Sequence, residues 1–198
     1  MTLHRKCLKW SIVISCIAII CYSIFGYVKC IMNLWLKDVA LAICGSAILL
    51  IATSIVSYIT EKRRIEERIV KASVSFSMTD YILEEGTQLS IQSLAKITKI
   101  SLTNLNSLYN ELREYYQGCI LKDEILKNLI NNDIIPYAEK IENFRVLLSN
   151  PNCESEQVNI KFDELWEGEK TLNNKIDTWL KGKKFILGDE FKIEEQEK

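Results

Sequence analysis

Hydrophobic and polar positions divide this chain into two unlike parts. From Trp10 to Val28 no residue is charged, and from Val39 to Thr60 none is either, which makes runs of 19 and 22 residues. About 20 helical residues cross a hydrocarbon core of roughly 30 Å, so the pattern predicts two transmembrane helices, 10–28 and 39–60, joined by a short external loop, 29–38. A cleaved signal peptide is the competing reading of the first run, because basic residues precede it. Its 19 residues exceed an ordinary signal core, and no A-x-A-like cleavage site follows. The reading is therefore an uncleaved hairpin.

After Thr60 the period becomes that of an amphipathic helix. Ile65, Ile69, Ala72 and Phe76 recur at steps of three and four, so the second span should continue as a charged juxtamembrane helix, 61–77. Gly86 interrupts. The longest periodic stripe follows: Ile91, Ala95, Thr98, Leu102, Leu105, Tyr109, Leu112, Tyr116, Cys119, Asp123, Leu126 and Ile130. It predicts a packed helix or short coiled coil, split at Gly118. Pro136 reads as a fresh helix start, with Tyr137, Ile141, Phe144 and Leu148 on the buried face and Asn150-Pro151-Asn152 at the end. A last helix is expected over Phe162–Lys181, with Leu165, Leu172, Ile176 and Trp179 inward and Gly182 closing it. Val158, Ile160 and Phe162 alternate and could form a short strand. The fold class is all-α: a two-helix transmembrane hairpin and a partly coiled-coil cytoplasmic helical domain, 78–187, after a basic N-terminus, 1–9, and before an acidic tail, 188–198.

Charge adds orientation. Arg5, Lys6 and Lys9 precede the first span, and Lys62, Arg63, Arg64 and Arg68 follow the second, whereas the connection holds only Lys29 and Lys37. Positive flanks favour the cytoplasmic side, so both termini are expected on the cytoplasmic side of the membrane. Small and hydroxylated residues form one face in each span: Ser11, Ser15, Ala18, Tyr22 and Gly26 in the first, and Ala42, Gly45, Ser46, Thr53 and Ser57 in the second. Such faces let helices approach closely. The simplest reading is packing within the hairpin; the sharper one is packing of several hairpins, or lining of a wet path, in a homo-oligomer.

From Ala72 onward there are 15 bases against 22 acids, a net of −7. Bulk phosphate neutralisation needs a basic surface, so a protein partner is expected and direct nucleic-acid binding is not. The seven cysteines include no C-x-x-C pair, and the sole histidine is His4; neither a metal site nor a cofactor site is expected. Phosphate-loop, dinucleotide-binding and nucleophile-elbow motifs are missing, and a Ser-His or Cys-His pair has no histidine in the cytoplasmic part. Asp163 with Glu167, Asp123 with Lys127, and the cluster Lys181, Lys183 and Lys184 read as solvated helix faces. The chain is not expected to be an enzyme.

Three classes of function fit these features: a membrane effector, a passive anchor or scaffold for a cytoplasmic protein, and a subunit whose catalytic groups lie on another chain. The arrangement resembles the two-transmembrane effectors of bacterial retron anti-phage systems. The resemblance is carried by two N-terminal spans with a short loop, by the segment "DVALAICGSAILLIATSIVSYITEKRR", and by the helical region after it. It implies an inner-membrane protein held by a reverse transcriptase with its RNA–DNA hybrid, which permeabilises the membrane and kills the infected cell when released.

Overall fold

A computed structural model describes residues 2–27, 32–77, 90–150 and 155–183. All elements among them are helical: α1 (Thr2–Tyr27), α2 (Met32–Ser77), α3 (Ile91–Gly118), α4 (Glu124–Asn128), a π-helical turn (Leu129–Ile134), α5 (Ile135–Leu148) and α6 (Ser155–Lys183). Two compact units result. One comprises Met1–Arg64 with Gln117–Leu121, and the other comprises Ile65–Tyr116 with Lys122–Lys198. The expected interruption at Gly86, the turn residues Pro151 and Asn152 and the tail 188–198 lie outside the described residues.

The second unit is a helical bundle with its core where the three-and-four spacing put it. Ile65, Ile69 and Phe76 on α2 are fully buried, as are Leu105, Leu108 and Leu112 on α3, Leu126 on α4 and Ile176 on α6. The bundle buries apolar stripes from each helix, and that burial drives assembly at roughly 25 cal/mol per Å². Ring contacts knit the stripes together: Phe76 meets Tyr137 edge-on at 6.4 Å, Tyr115 meets Trp179 at 5.9 Å, and Phe144 lies 6.1 Å from Phe162.

On α3 the buried stripe is Leu94, Thr98, Ser101, Leu105, Leu108, Leu112 and Tyr115. It shares Thr98, Leu105 and Leu112 with the expected seam, while Ala95 is exposed and Leu102, Tyr109 and Tyr116 are half-buried. Both stripes step by three and four around the same shared residues. They differ by one residue at every second member, a small rotation of the helix that the apolar residues on either side leave undetermined. Partners decide it: Ser101 donates to Glu169 of α6 at 3.4 Å, and Tyr115 donates to Glu66 of α2 at 3.4 Å.

Three boundaries differ from the sequence reading. Helix α2 begins at Met32, inside the connection expected over 29–38. Helix α6 begins at Ser155, so Val158, Ile160 and Phe162 are helical; Val158 is buried and Ile160 exposed, the one-sided burial of a helix. At the other end Gly182 does not close α6, which runs to Lys183. Pro136 stands in the first turn of α5, as expected, but no break precedes that helix. Chain from Glu124 to Leu148 stays helical, passing through the π turn Leu129–Ile134 immediately before Pro136. A proline ring inside a helix crowds the carbonyl four residues back, here that of Asn132, and the wider π turn contains that residue.

Asp123 ties the start of α4 to the end of α6. Its carboxylate accepts from the amide of Leu126 at 3.1 Å and from the indole N–H of Trp179 at 3.0 Å, and it pairs with Lys183 at 2.9 Å. The expected Asp123–Lys127 pair is replaced, since Lys127 reaches Glu124 instead at 3.0 Å. Lys183 is accordingly not a merely solvated helix end. Burial pushes the Asp123 carboxyl up, but hydrogen bonds from Lys183, Trp179 and the Leu126 amide, together with the charge of Lys183, outweigh it and hold the group below the usual carboxylate range.

Leu108→Ala should cost about 3 kcal/mol and Tyr109→Ala no more than about 1 kcal/mol, a contrast that chemical denaturation would measure. Because the folded pKa of Asp123 is depressed, its stabilisation is present above the unfolded pKa and is lost as pH falls through the folded value. Asp123→Asn should therefore lower stability by about 2 kcal/mol at neutral pH. The gap to wild type should close in strongly acidic buffer, as melting curves at several pH values would reveal.

Candidate membrane-facing surface

The first unit inverts the burial pattern of a water-soluble domain. Trp10 is 68% exposed, Ile48 64%, Leu49 69% and Val56 63%, whereas the small polar Ser11 is fully buried and Ala18 and Ser54 nearly so. Ile12, Ile17, Ile19, Ile20 and Ile24 on α1 and Leu41, Leu50, Ile55 and Ile59 on α2 are also outward. Contiguous apolar surface on this scale exceeds what a monomer ordinarily shows to water and marks an interaction surface. Among the described residues one helix is long and apolar enough to cross a membrane: the segment Leu41–Ser77 within α2, with a mean hydropathy of 2.1 over its apolar window. On α1 the corresponding described stretch, Lys9–Cys21, is shorter than a span requires.

Hydroxyl groups on this unit bond back to their own helices. Ser11 donates to the carbonyl of Cys7 at 2.7 Å, Ser15 to Ser11 at 2.9 Å, Ser46 to Ala42 at 2.9 Å and Thr53 to Leu49 at 3.0 Å. These bonds compensate the hydroxyl dipoles locally, and an apolar environment demands that compensation. The expected packing residues then separate. Ser11 and Ala18 are covered, and Ser15 and Ser57 partly so, while Ala42, Gly45, Ser46 and Thr53 are exposed. A Cβ added at Gly45 would meet nothing within 4 Å. The surroundings of Gly26 lie outside what is described, as do the side chains of Tyr22 and Arg5. Ser54 was not among the expected packing residues; it is covered one position beyond the exposed Thr53, on a different side of α2.

Basic residues divide similarly. Lys6, Lys9, Arg63 and Arg64 are exposed and Lys62 is half-buried. Arg68 belongs to the helical bundle and is not a free boundary charge. Its guanidinium lies 3.0 Å from Glu111 and 2.8 Å from Glu114 on α3, so its charge is already matched by two carboxylates.

Among the described residues the bundle holds a small cavity of about 20 Å³, enough for one water. It is lined by Thr98, Ser101, Tyr137, Trp166 and Glu169 among others. Tyr137 donates to Glu169 at 3.1 Å, and the buried indole N–H of Trp166 has no protein acceptor. These groups form a polar node suited to positioning helices. Among the described residues no group of histidine, cysteine and carboxylate side chains could hold a metal ion.

No protein family, curated protein or solved structure matches this chain. The outward apolar face of the first unit is therefore the strongest guide to function.

Filling a covered site and an exposed one should have opposite consequences. Ser11→Leu should lower the melting temperature of the detergent-solubilised protein, because overpacking costs about 1–3 kcal/mol. Ser46→Leu should leave it unchanged.

Proposed function

We propose that this chain is a non-enzymatic effector of the bacterial inner membrane: a two-span hairpin, both termini cytoplasmic, whose membrane-disrupting assembly is restrained through its helical bundle. The observation that carries this reading is α2. It is one unbroken helix from Met32 to Ser77, apolar and outward over its first half and buried in the bundle core at Ile65, Ile69 and Phe76 over its second. A helix continuous between two environments passes rotation or translation at one end to the other, whereas a passive tether needs no such coupling. The exposed row Ala42, Gly45, Ser46 and Thr53 supplies a face on which hairpins from further copies pack.

Resemblance to retron effectors gives the restraint a chemical identity: a reverse transcriptase with its RNA–DNA hybrid, held through protein contacts because the region from Ala72 onward is acidic overall. Release on infection then lets hairpins assemble, permeabilise the membrane and kill the infected cell before phage spreads.

Expression of the full chain alone in a bacterium should collapse the membrane potential and admit propidium. Ser46→Leu and Thr53→Leu should abolish that effect with membrane insertion unchanged. Full insertion without depolarisation by the wild-type chain would replace this reading with that of an anchor for a cytoplasmic partner.

A further inference from the structure

We infer that the turn between α3 and α4 seats on the lipid bilayer, with Ile120 and Leu121 dipping to the boundary between headgroups and acyl chains. The inference rests on the membrane reading of α2 and adds a second point of lipid contact, made by a segment distant in sequence from either apolar run.

Three observations converge on it. Gln117–Leu121 belongs to the same compact unit as Met1–Arg64, although more than fifty residues separate them along the chain. The amide of Ile120 donates to the hydroxyl of Tyr58 at 3.2 Å, which fixes the turn against α2 at a defined height. That height is the edge of the apolar run: Tyr58 is three residues before Glu61, about 4.5 Å of helix rise. Tyrosine is enriched at this level of a bilayer because its ring is apolar and its hydroxyl wet.

At the same turn the side chains point outward. Leu121 is 84% exposed and Ile120 44% exposed, while Cys119 just before them is buried and anchors the segment. Tight turns facing water are ordinarily built from Gly, Asn, Asp or Ser, and here two large aliphatic residues occupy the tip. The exposed Lys122 follows directly, its ammonium 4.5 Å from the centre of the Tyr116 ring. Aliphatic tip and flanking base together match an anionic lipid surface, where apolar side chains enter the acyl boundary and cations meet headgroups.

The test uses the full chain in vesicles of phosphatidylethanolamine and phosphatidylglycerol. Its seven cysteines are replaced by serine or alanine, and an environment-sensitive NBD fluorophore is attached at Leu121→Cys. Companion labels sit at Leu49→Cys on the apolar face of α2, at Glu164→Cys on the exposed side of α6, and at Ile120→Cys as a second site in the turn. We expect the label at 121 to be blue-shifted relative to that at 164 and at least about twofold less accessible to iodide, with stronger quenching by shallow than by deep doxyl lipids. The label at 49 should be quenched most by deep doxyl lipids.

If 49 reports lipid while 120 and 121 are as wet as 164, the seating of the turn is overturned and the span stands. If 49 is also wet, both readings fall. Shielding of 121 from iodide without any doxyl quenching would mean that protein, such as a second copy, covers the turn, and would equally overturn lipid contact.

Discussion

Helix α2 carries its backbone hydrogen-bond ladder from Met32 to Ser77 while its side chains meet two environments. That continuity is the constraint on which the other parts depend. Its amides and carbonyls are satisfied within the helix wherever it lies, so side chains alone decide what each turn faces. Over the apolar run large aliphatic residues are outward and Ser54 is covered, and beyond Arg64 the large apolar residues turn inward, with Ile65, Ile69 and Phe76 at zero exposure. A helix built this way cannot place both halves in water without exposing a long apolar surface.

The bundle is organised around the second half of this helix. Arg68 reaches two carboxylates of α3, and Asn104 of α3 donates to the carbonyl of Ser75 at 2.9 Å. Partly exposed ion pairs contribute little to stability, so these contacts fix register and rotation while the buried stripes supply the energy. Asp123 and the Tyr137–Glu169 pair do the same for α6. Both are multiply bonded groups, and removing one partner leaves another polar group unsatisfied. The rotation of α3 is thereby fixed against α2, and that of α6 against α4 and α5.

Much of this was legible in the residues. Ile65, Ile69, Ala72 and Phe76, then Tyr137, Ile141 and Phe144, and finally Leu165, Leu172, Ile176 and Trp179 were each identified by spacing and each is buried. Such stripes read clearly because only one side of the helix is apolar. The α3 seam read less clearly, since Leu102 and Tyr109 flank the shared Leu105 as plausibly as Ser101 and Leu108 do. Pro136 correctly marked the first turn of α5, but the widened turn that leads into it has no sequence signature of its own. Arg68 looked like its neighbours Arg63 and Arg64, and only the carboxylates of Glu111 and Glu114, more than forty residues away, distinguish it.

By itself, then, the sequence determined the helical class, the apolar segment of α2 and its charged boundary, and most of the bundle core, because these follow from local periodicity and from transfer energies that each residue carries alone. Tertiary structure decided the rotation of α3, the partners of Asp123 and Arg68, which small residues of the first unit are covered, and the placement of Ile120 beside Tyr58. Those depend on which surfaces meet across long stretches of chain, and no single helix encodes its neighbour.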